Sequence, residues 1–204
     1  MKPILLFVFL SLVAPISVLG AEALAIPDLT KGDAIPSQAR HDWNLGATGA
    51  RGWIFCRKLV TDEARQIAIT MVDVGSPADG VLAAGDVILG VAGTPFAFDP
   101  RTELGRALVA AESTEGGGTL ALTRWRAGQT EEVVVKIPVL GNYSPTAPFD
   151  CPKSKRILEQ GCEALAARMK EPAFNENHDP IVRSLNSLAL LASGNPPYRP
   201  LVEK

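Results

Sequence analysis

The chain has 204 residues, 47% of them hydrophobic and 21% charged, with a formal net charge of −2 and a calculated pI of 5.7. That length holds one complete domain and part of another. The absence of any basic stripe excludes a nucleic-acid surface, and no apolar run beyond the N-terminus is long enough to cross a bilayer.

At the N-terminus Lys2 supplies a positive start, residues 4–19 are apolar and uncharged, and small residues follow. This pattern predicts a secretory signal peptide over residues 1–23. Removal after Gly20 or Ala23 would place the protein in the periplasm or outside the cell. An uncleaved anchor is the alternative, for which about 16 apolar residues is short. No cysteine follows the apolar run, so a lipid anchor is not expected. Export permits disulfides, and Cys151 and Cys162 are candidates for a bridge or for two buried thiols, with Cys56 a core thiol. No CxxC and no neighbouring histidine accompany them, which does not suit zinc. Neither a metal nor a cofactor is expected.

Residues 24–40 read as a linker, broken by Pro27, Lys31-Gly32-Asp33 and Ile35-Pro36-Ser37. Globular patterning starts near His41. A loop with glycines at 46, 49 and 52 leads to an apolar strand at Trp53, Ile54, Phe55 and Cys56. A polar turn at Thr61-Asp62-Glu63 follows. Residues 67–96 then read IAITMVDVGSPADGVLAAGDVILGVAGTPF. Ile67, Ile69, Met71 and Val74 predict a strand. Ser76 as N-cap, Pro77 as first helical residue and Asp79 three residues after the cap predict a short helix. Gly85 suits the left-handed conformation that ends it. Val87, Ile88, Leu89 and Val91 predict a buried strand closed by a Gly-Thr-Pro turn.

Asp99 and Pro100 mark the start of a longer helix. Leu104, Ala107, Leu108 and Ala111 repeat along one face of it, and Gly116-Gly117-Gly118 stops it. Leu120, Leu122 and Trp125 predict a strand, residues 127–130 a hairpin turn, and residues 133–139 the return strand. A proline-rich connector over 141–150 leads to a helical segment over 151–204. Leu158, Cys162, Leu165 and Met169 form one stripe; Ile181, Leu185, Leu188 and Ala192 form another. Two such helices cannot bury both faces alone, and the segment reads as the start of a larger helical domain.

The order strand, GSPA helix, Ala-Gly-Asp, strand, Gly-Thr-Pro resembles the middle of a PDZ domain. It is most similar to those of bacterial envelope proteases of the HtrA and carboxy-terminal-processing types. The span 41–140 carries the full element order. The resemblance implies an α+β fold, a PDZ-like small β-barrel or sandwich with two helices, followed by the short all-helical segment. The phrase SLNSLALLASGNPPYRPLV resembles the helix–turn repeats of α/α-toroid proteins of the squalene-cyclase and prenyltransferase type. It is also similar to secreted bacterial proteins that join a PDZ-like domain to such a toroid.

What the PDZ resemblance implies is recognition of an extended peptide or a protein C-terminus by strand addition. The carboxylate-binding loop would be Ala50, Arg51, Gly52 and Trp53, with Trp53, Ile54 and Phe55 as the peptide-pairing strand. Thr102 and Glu103 would contact the peptide two residues before its end, and Leu104 and Leu108 would line the terminal side-chain pocket. Arg51 departs from the family pattern, which has an apolar residue there. It either assists the carboxylate or is a solvated loop residue. The helix start lacks the histidine that selects Ser or Thr.

No enzyme reading finds its residues. His41 and His178 lie outside the strands and helices of the PDZ-like span, no G-x-S-x-G occurs, and the glycines form neither G-x-G-x-x-G nor a phosphate loop. Three functions remain open: a peptide-binding module, a structural domain packed on its own helices, and the regulatory part of a larger enzyme.

Overall fold

The computed structural model describes residues 25–39, 41–172, 174 and 180–203. The expected signal peptide and His178 lie outside them. The chain runs β1 (Trp43–Asn44), β2 (Ala50–Trp53), β3 (Ile67–Val72), β4 (Val87–Val91), β5 (Thr94–Pro95), α1 (Pro100–Ala111), β6 (Thr119–Arg126), β7 (Gln129–Lys136), α2 (Pro152–Arg168), α3 (Pro180–Ala192) and α4 (Arg199–Val202). The architecture is α+β.

Seven strands form one antiparallel sheet in the order β1-β2-β3-β4-β6-β7, with β5 on β4. β1 and β7 are its edges. The β6–β7 hairpin is continuous from Thr119↔Lys136 to Arg126↔Gln129. Its turn is Ala127-Gly128, both with positive φ (48° and 86°), the geometry that matches strand twist in a two-residue connection. Alternation along β6 buries Leu120 and Leu122. They meet Ile54, Ile67, Ile69, Ile88 and Val135 in one core. α1 covers that core, packing against β4 and β6. It buries Leu104 and Ala111 and rests Ala107 and Leu108 against the same cluster. As its sequence indicates, α1 starts at Asp99, whose carboxylate accepts from Arg101 N at 2.9 Å. That carboxylate also accepts from the buried Thr61 hydroxyl at 2.8 Å, which ties the helix start to the loop before β3.

Four expectations need correction. The strand predicted at Trp53–Cys56 lies earlier, at Ala50–Trp53; Ile54 and Phe55 are buried by packing, not by pairing. The short helix at Ser76 is a chain of turns. Its bonds run mostly to the third residue back, Asp79 N to Ser76 O and Val81 N to Ala78 O, and Gly80 at φ 75° breaks any continuation. Asp79 does not cap Ser76 but accepts from Gly75 N at 2.8 Å. Among the described residues of 41–140, α1 is therefore the one α-helix where two were expected. Lastly, Cys56, expected as a core thiol, is a half-buried free thiol outside the strand, whereas Cys151 and Cys162 are free and buried, the second of the two alternatives open for them. Cys151 is the N-cap of α2 and Cys162 sits eleven residues along it, so at 1.5 Å per residue they are about 16 Å apart along the axis, beyond disulfide reach. Part of the expected linker is docked. Leu29 joins the core, and Gln66 holds its turn by accepting from Leu29 N and donating to Asp28, each at 2.8 Å.

The helices α2, α3 and α4 gather a second, smaller cluster around Cys162, Ala166, Met169 and Leu190. It joins the sheet unit through the end of α1. Leu140 N and Gly141 N donate to Glu112 O, and the Lys153 ammonium lies 2.6 Å from the Glu112 carboxylate and over the Tyr143 ring. Among the described residues no helix is long and apolar enough to cross a membrane.

Candidate functional site

A groove of about 460 Å³ runs between the β1 edge and α1. Trp43, Asn44, Leu45 and Gly46 form one wall; Arg101, Thr102, Gly105 and Leu108 form the other. The two walls run the same way. Arg101 lies over the Trp43 indole, 3.6 Å from the ring centroid, and a Cβ on Gly46 would stand 3.1 Å from Leu108 Cδ1.

Two glycine loops build the sheet wall. Gly49 has φ 72°, and a Cβ there would fall 2.2 Å from the Ser76 Cβ, so no other residue fits. The GSPA turn grips this loop with two main-chain bonds, Asp73 N to Gly49 O and Ala78 N to Thr48 O, both 2.9 Å. The two motifs singled out in the sequence thus hold each other. Gly52 serves close approach rather than positive φ, since a Cβ would meet Ile67 Cγ2 at 2.6 Å.

The helix wall carries an anomaly. Gly105 sits inside α1, where glycine costs about 1 kcal/mol relative to alanine. Its φ is not left-handed, and a Cβ there would meet nothing within 4 Å. Neither backbone geometry nor packing requires it. Its effect is to leave the helix surface bare in the groove.

The structure distributes the sequence candidates between wall and interior. Thr102 and Leu108 line the groove, and Leu104 reaches it from the core. Glu103 does not face a ligand; its carboxylate accepts from Ala97 N and Phe98 N at 3.0 and 2.5 Å. Ala50, Trp53, Ile54 and Phe55 are buried. β2 does not present an open edge, because β3 pairs on one side and β1 on the other. Arg51 is neither free nor aimed at a carboxylate nest. It clamps Asp42, Nε to Oδ2 at 3.1 Å and Nη2 to Oδ1 at 2.6 Å, and Thr70 donates to the same carboxylate at 3.0 Å. Those bonds, Arg51's first, hold the Asp42 carboxyl down at about 2. Sequence reasoning missed Trp43, Asn44 and Gly105. The first two lie in a strand too short to show periodicity; Gly105 left a signal, as a glycine inside a helical stripe.

Two other polar groups are held by hydrogen bonds. Burial pushes the Asp86 carboxyl up, but bonds from Arg126 and Ala83 N outweigh it, and its pKa is lowered. Asp86 thus fastens the turn before β4 to β6. The Cys151 thiol is lowered to about 6, chiefly by the Ser154 side chain and then Ser144 N. Among the described residues no group of three or more His, Cys, Asp or Glu is placed to hold a metal. Comparison with known proteins adds no identity: no family model, no curated protein and no solved structure matches the chain.

Proposed function

We propose that this chain is a peptide-binding module of PDZ type, and that an extended segment lies in the groove between the sheet edge and α1. The bare helix face at Gly105 carries the reading. A protein that only packed its core would gain stability from alanine there. Leu108 adds apolar contact on the same wall, and the opposing wall offers the outward main-chain groups of Asn44 at a sheet edge, the elements strand addition uses. The apolar floor selects an apolar side chain. We propose further that the module acts after export, on the Lys2 and residue 4–19 pattern, which N-terminal sequencing of the processed protein checks.

The test is retention of a pool of random octapeptides with free carboxyl termini on the immobilised full chain. Wild type should retain a distinct apolar subset. Gly105→Leu should fold as stably and lose that subset. Equal retention by both proteins would remove the groove as the site.

One observation favours a second reading, a structural domain serving its own helices. The Lys153–Glu112 pair seats the helical segment on the C-terminal end of α1. On that reading neither protein retains peptide.

A further inference from the structure

We infer that β1 is an internal occupant of the β2 edge, a latch that an incoming peptide displaces. The inference rests on the peptide-binding reading and concerns its regulation. Leu45 N donates to Ala50 O, and Trp43 is opposite Gly52. By strand alternation Asn44 is the residue that turns its main-chain groups outward, toward α1. The edge presented in this state is therefore one rung long. Behind it, β2 uses the main-chain groups of both Ala50 and Gly52 to hold β1. Because main-chain bonds supply the affinity of strand addition, the longer β2 edge is the better receptor, and it is already filled.

The occupant is fastened by side chains more than by its own ladder. β1 has two residues. Before it lies a run from Asp33 to Ala39 without helix or strand. Its hold comes from Asp42, clamped by Arg51 on β2 and Thr70 on β3, and from Trp43, seated under Arg101 and edge-on to His41 at 4.3 Å. That seat is imperfect. The Trp43 Nε1 is buried with no hydrogen-bond partner, a group whose desolvation goes unrepaid. A two-residue strand and an unpaired buried donor describe a segment whose release gives up the Asp42 clamp and the packing of Trp43 on the core, with Leu45 as its anchored end. While it is in place, apparent peptide affinity is reduced by the fraction of molecules with the edge open.

The test uses the full chain and the same octapeptide pool. Asp42→Ala removes the fastener on both strands and should raise retention by up to about fivefold; Thr70→Val, a milder change, should raise it less. Asn44→Cys with Arg51→Cys places two thiols on facing residues of a non-hydrogen-bonded pair, where strands lie closest. The oxidised form should retain nothing, and reduction should restore retention. Amide exchange gives the structural check: Leu45 and Gly52 should exchange faster in both loosened variants, with Leu120 still protected. Equal retention by wild type, Asp42→Ala and the oxidised double variant would overturn the latch and leave the groove reading standing. Weaker retention by Asp42→Ala with Leu120 protected would also overturn it, by making β1 the receiving strand. Absence of retention by every form would remove the peptide reading, and the latch with it.

Discussion

The sheet unit and the helical segment use similar apolar material and reach different degrees of closure. In the sheet unit, Leu120 is 2% exposed, and Ile54 and Ile67 are wholly buried. In the helical segment, Leu190 on α3 is wholly buried, while Leu188 is 63% and Leu185 60% exposed. Both regions show clean periodicity in sequence. The difference is the number of neighbours. A strand in a sheet has partners on both edges and a helix across its face, so one stripe suffices. α3 carries apolar residues around most of its surface, yet among the described residues α2 and α4 pack on one side of it. Periodicity therefore reports which face is apolar, and topology decides whether anything covers it.

The sharpest way to break that comparison is to truncate a leucine on each side. Leu120→Ala should destabilise the sheet unit by about 2–5 kcal/mol, the transfer loss plus the cavity. Leu188→Ala should change stability by no more than about 0.5 kcal/mol, as at other exposed positions. Urea denaturation of both variants measures this. A large loss at Leu188 would mean that its face is covered in solution.

The next concerns the join. Lys153 is 1% exposed and Glu112 is partly buried, and the ammonium meets the carboxylate as an ion pair without a well-aligned hydrogen bond. Lys153→Ala leaves a carboxylate in a desolvated corner and should cost about 3 kcal/mol. It should also split the thermal transition, with the helical segment melting first. Lys153→Met with Glu112→Leu should recover most of the loss, because apolar residues of similar volume replace buried pairs well. A single transition in Lys153→Ala would show that the two regions do not communicate through this pair.

How much of this is legible in the sequence follows the range of the interactions. The start of α1 was legible because Asp99 and Pro100 act within one turn. The strands at 67–72 and 87–91 were legible because β-branched runs between turn signals need no distant partner to be recognised. That Leu104 and Leu108 share one face of α1 follows from the helical period, and both line the groove. The opposite wall was not legible. Nothing local announces that Trp43 and Asn44 pair with Gly52 and Arg51, and the clamp on Asp42 joins residues nine and twenty-eight positions apart. Without that pairing the edge of β2 reads as open. The GSPA residues read as a capped helix because capping signals are local, whereas what stabilises the turn is the distant loop at Thr48 and Gly49.

A smaller effect of opposite sign is expected at the helix wall. Gly105→Ala should stabilise α1 by up to about 1 kcal/mol, since the added Cβ meets nothing. Thermal unfolding measures it. Loss of stability would show that the backbone at 105 is under a constraint the open space does not reveal.

The smallest effect is electrostatic and falls on the sheet unit alone. Asp42 has a reference value of 3.8 and is held at about 2 in the folded chain, by Arg51 first and then Thr70. A carboxyl depressed on folding stabilises the native state when ionised in both states, and this contribution is lost as acid protonates the folded form. The contribution should therefore be whole above about pH 4 and should decline as pH falls through 2. Both side chains are about one-third exposed, so solvent screens the pair and the contribution should stay at or below about 1 kcal/mol. Comparing melting of wild type and Asp42→Asn from pH 6 to pH 2 isolates it. The gap should be full at pH 6, largely but not wholly lost by pH 2, and shrink at pH 6 when salt reaches molar concentration. Because the clamp lies at the β1–β2 edge, the acid-induced change should accelerate amide exchange at Leu45 and Gly52 and leave α2 untouched. A gap undiminished at pH 2 would mean that Asp42 holds β1 through the shape of its hydrogen bonds rather than its charge. The latch would then be insensitive to acid.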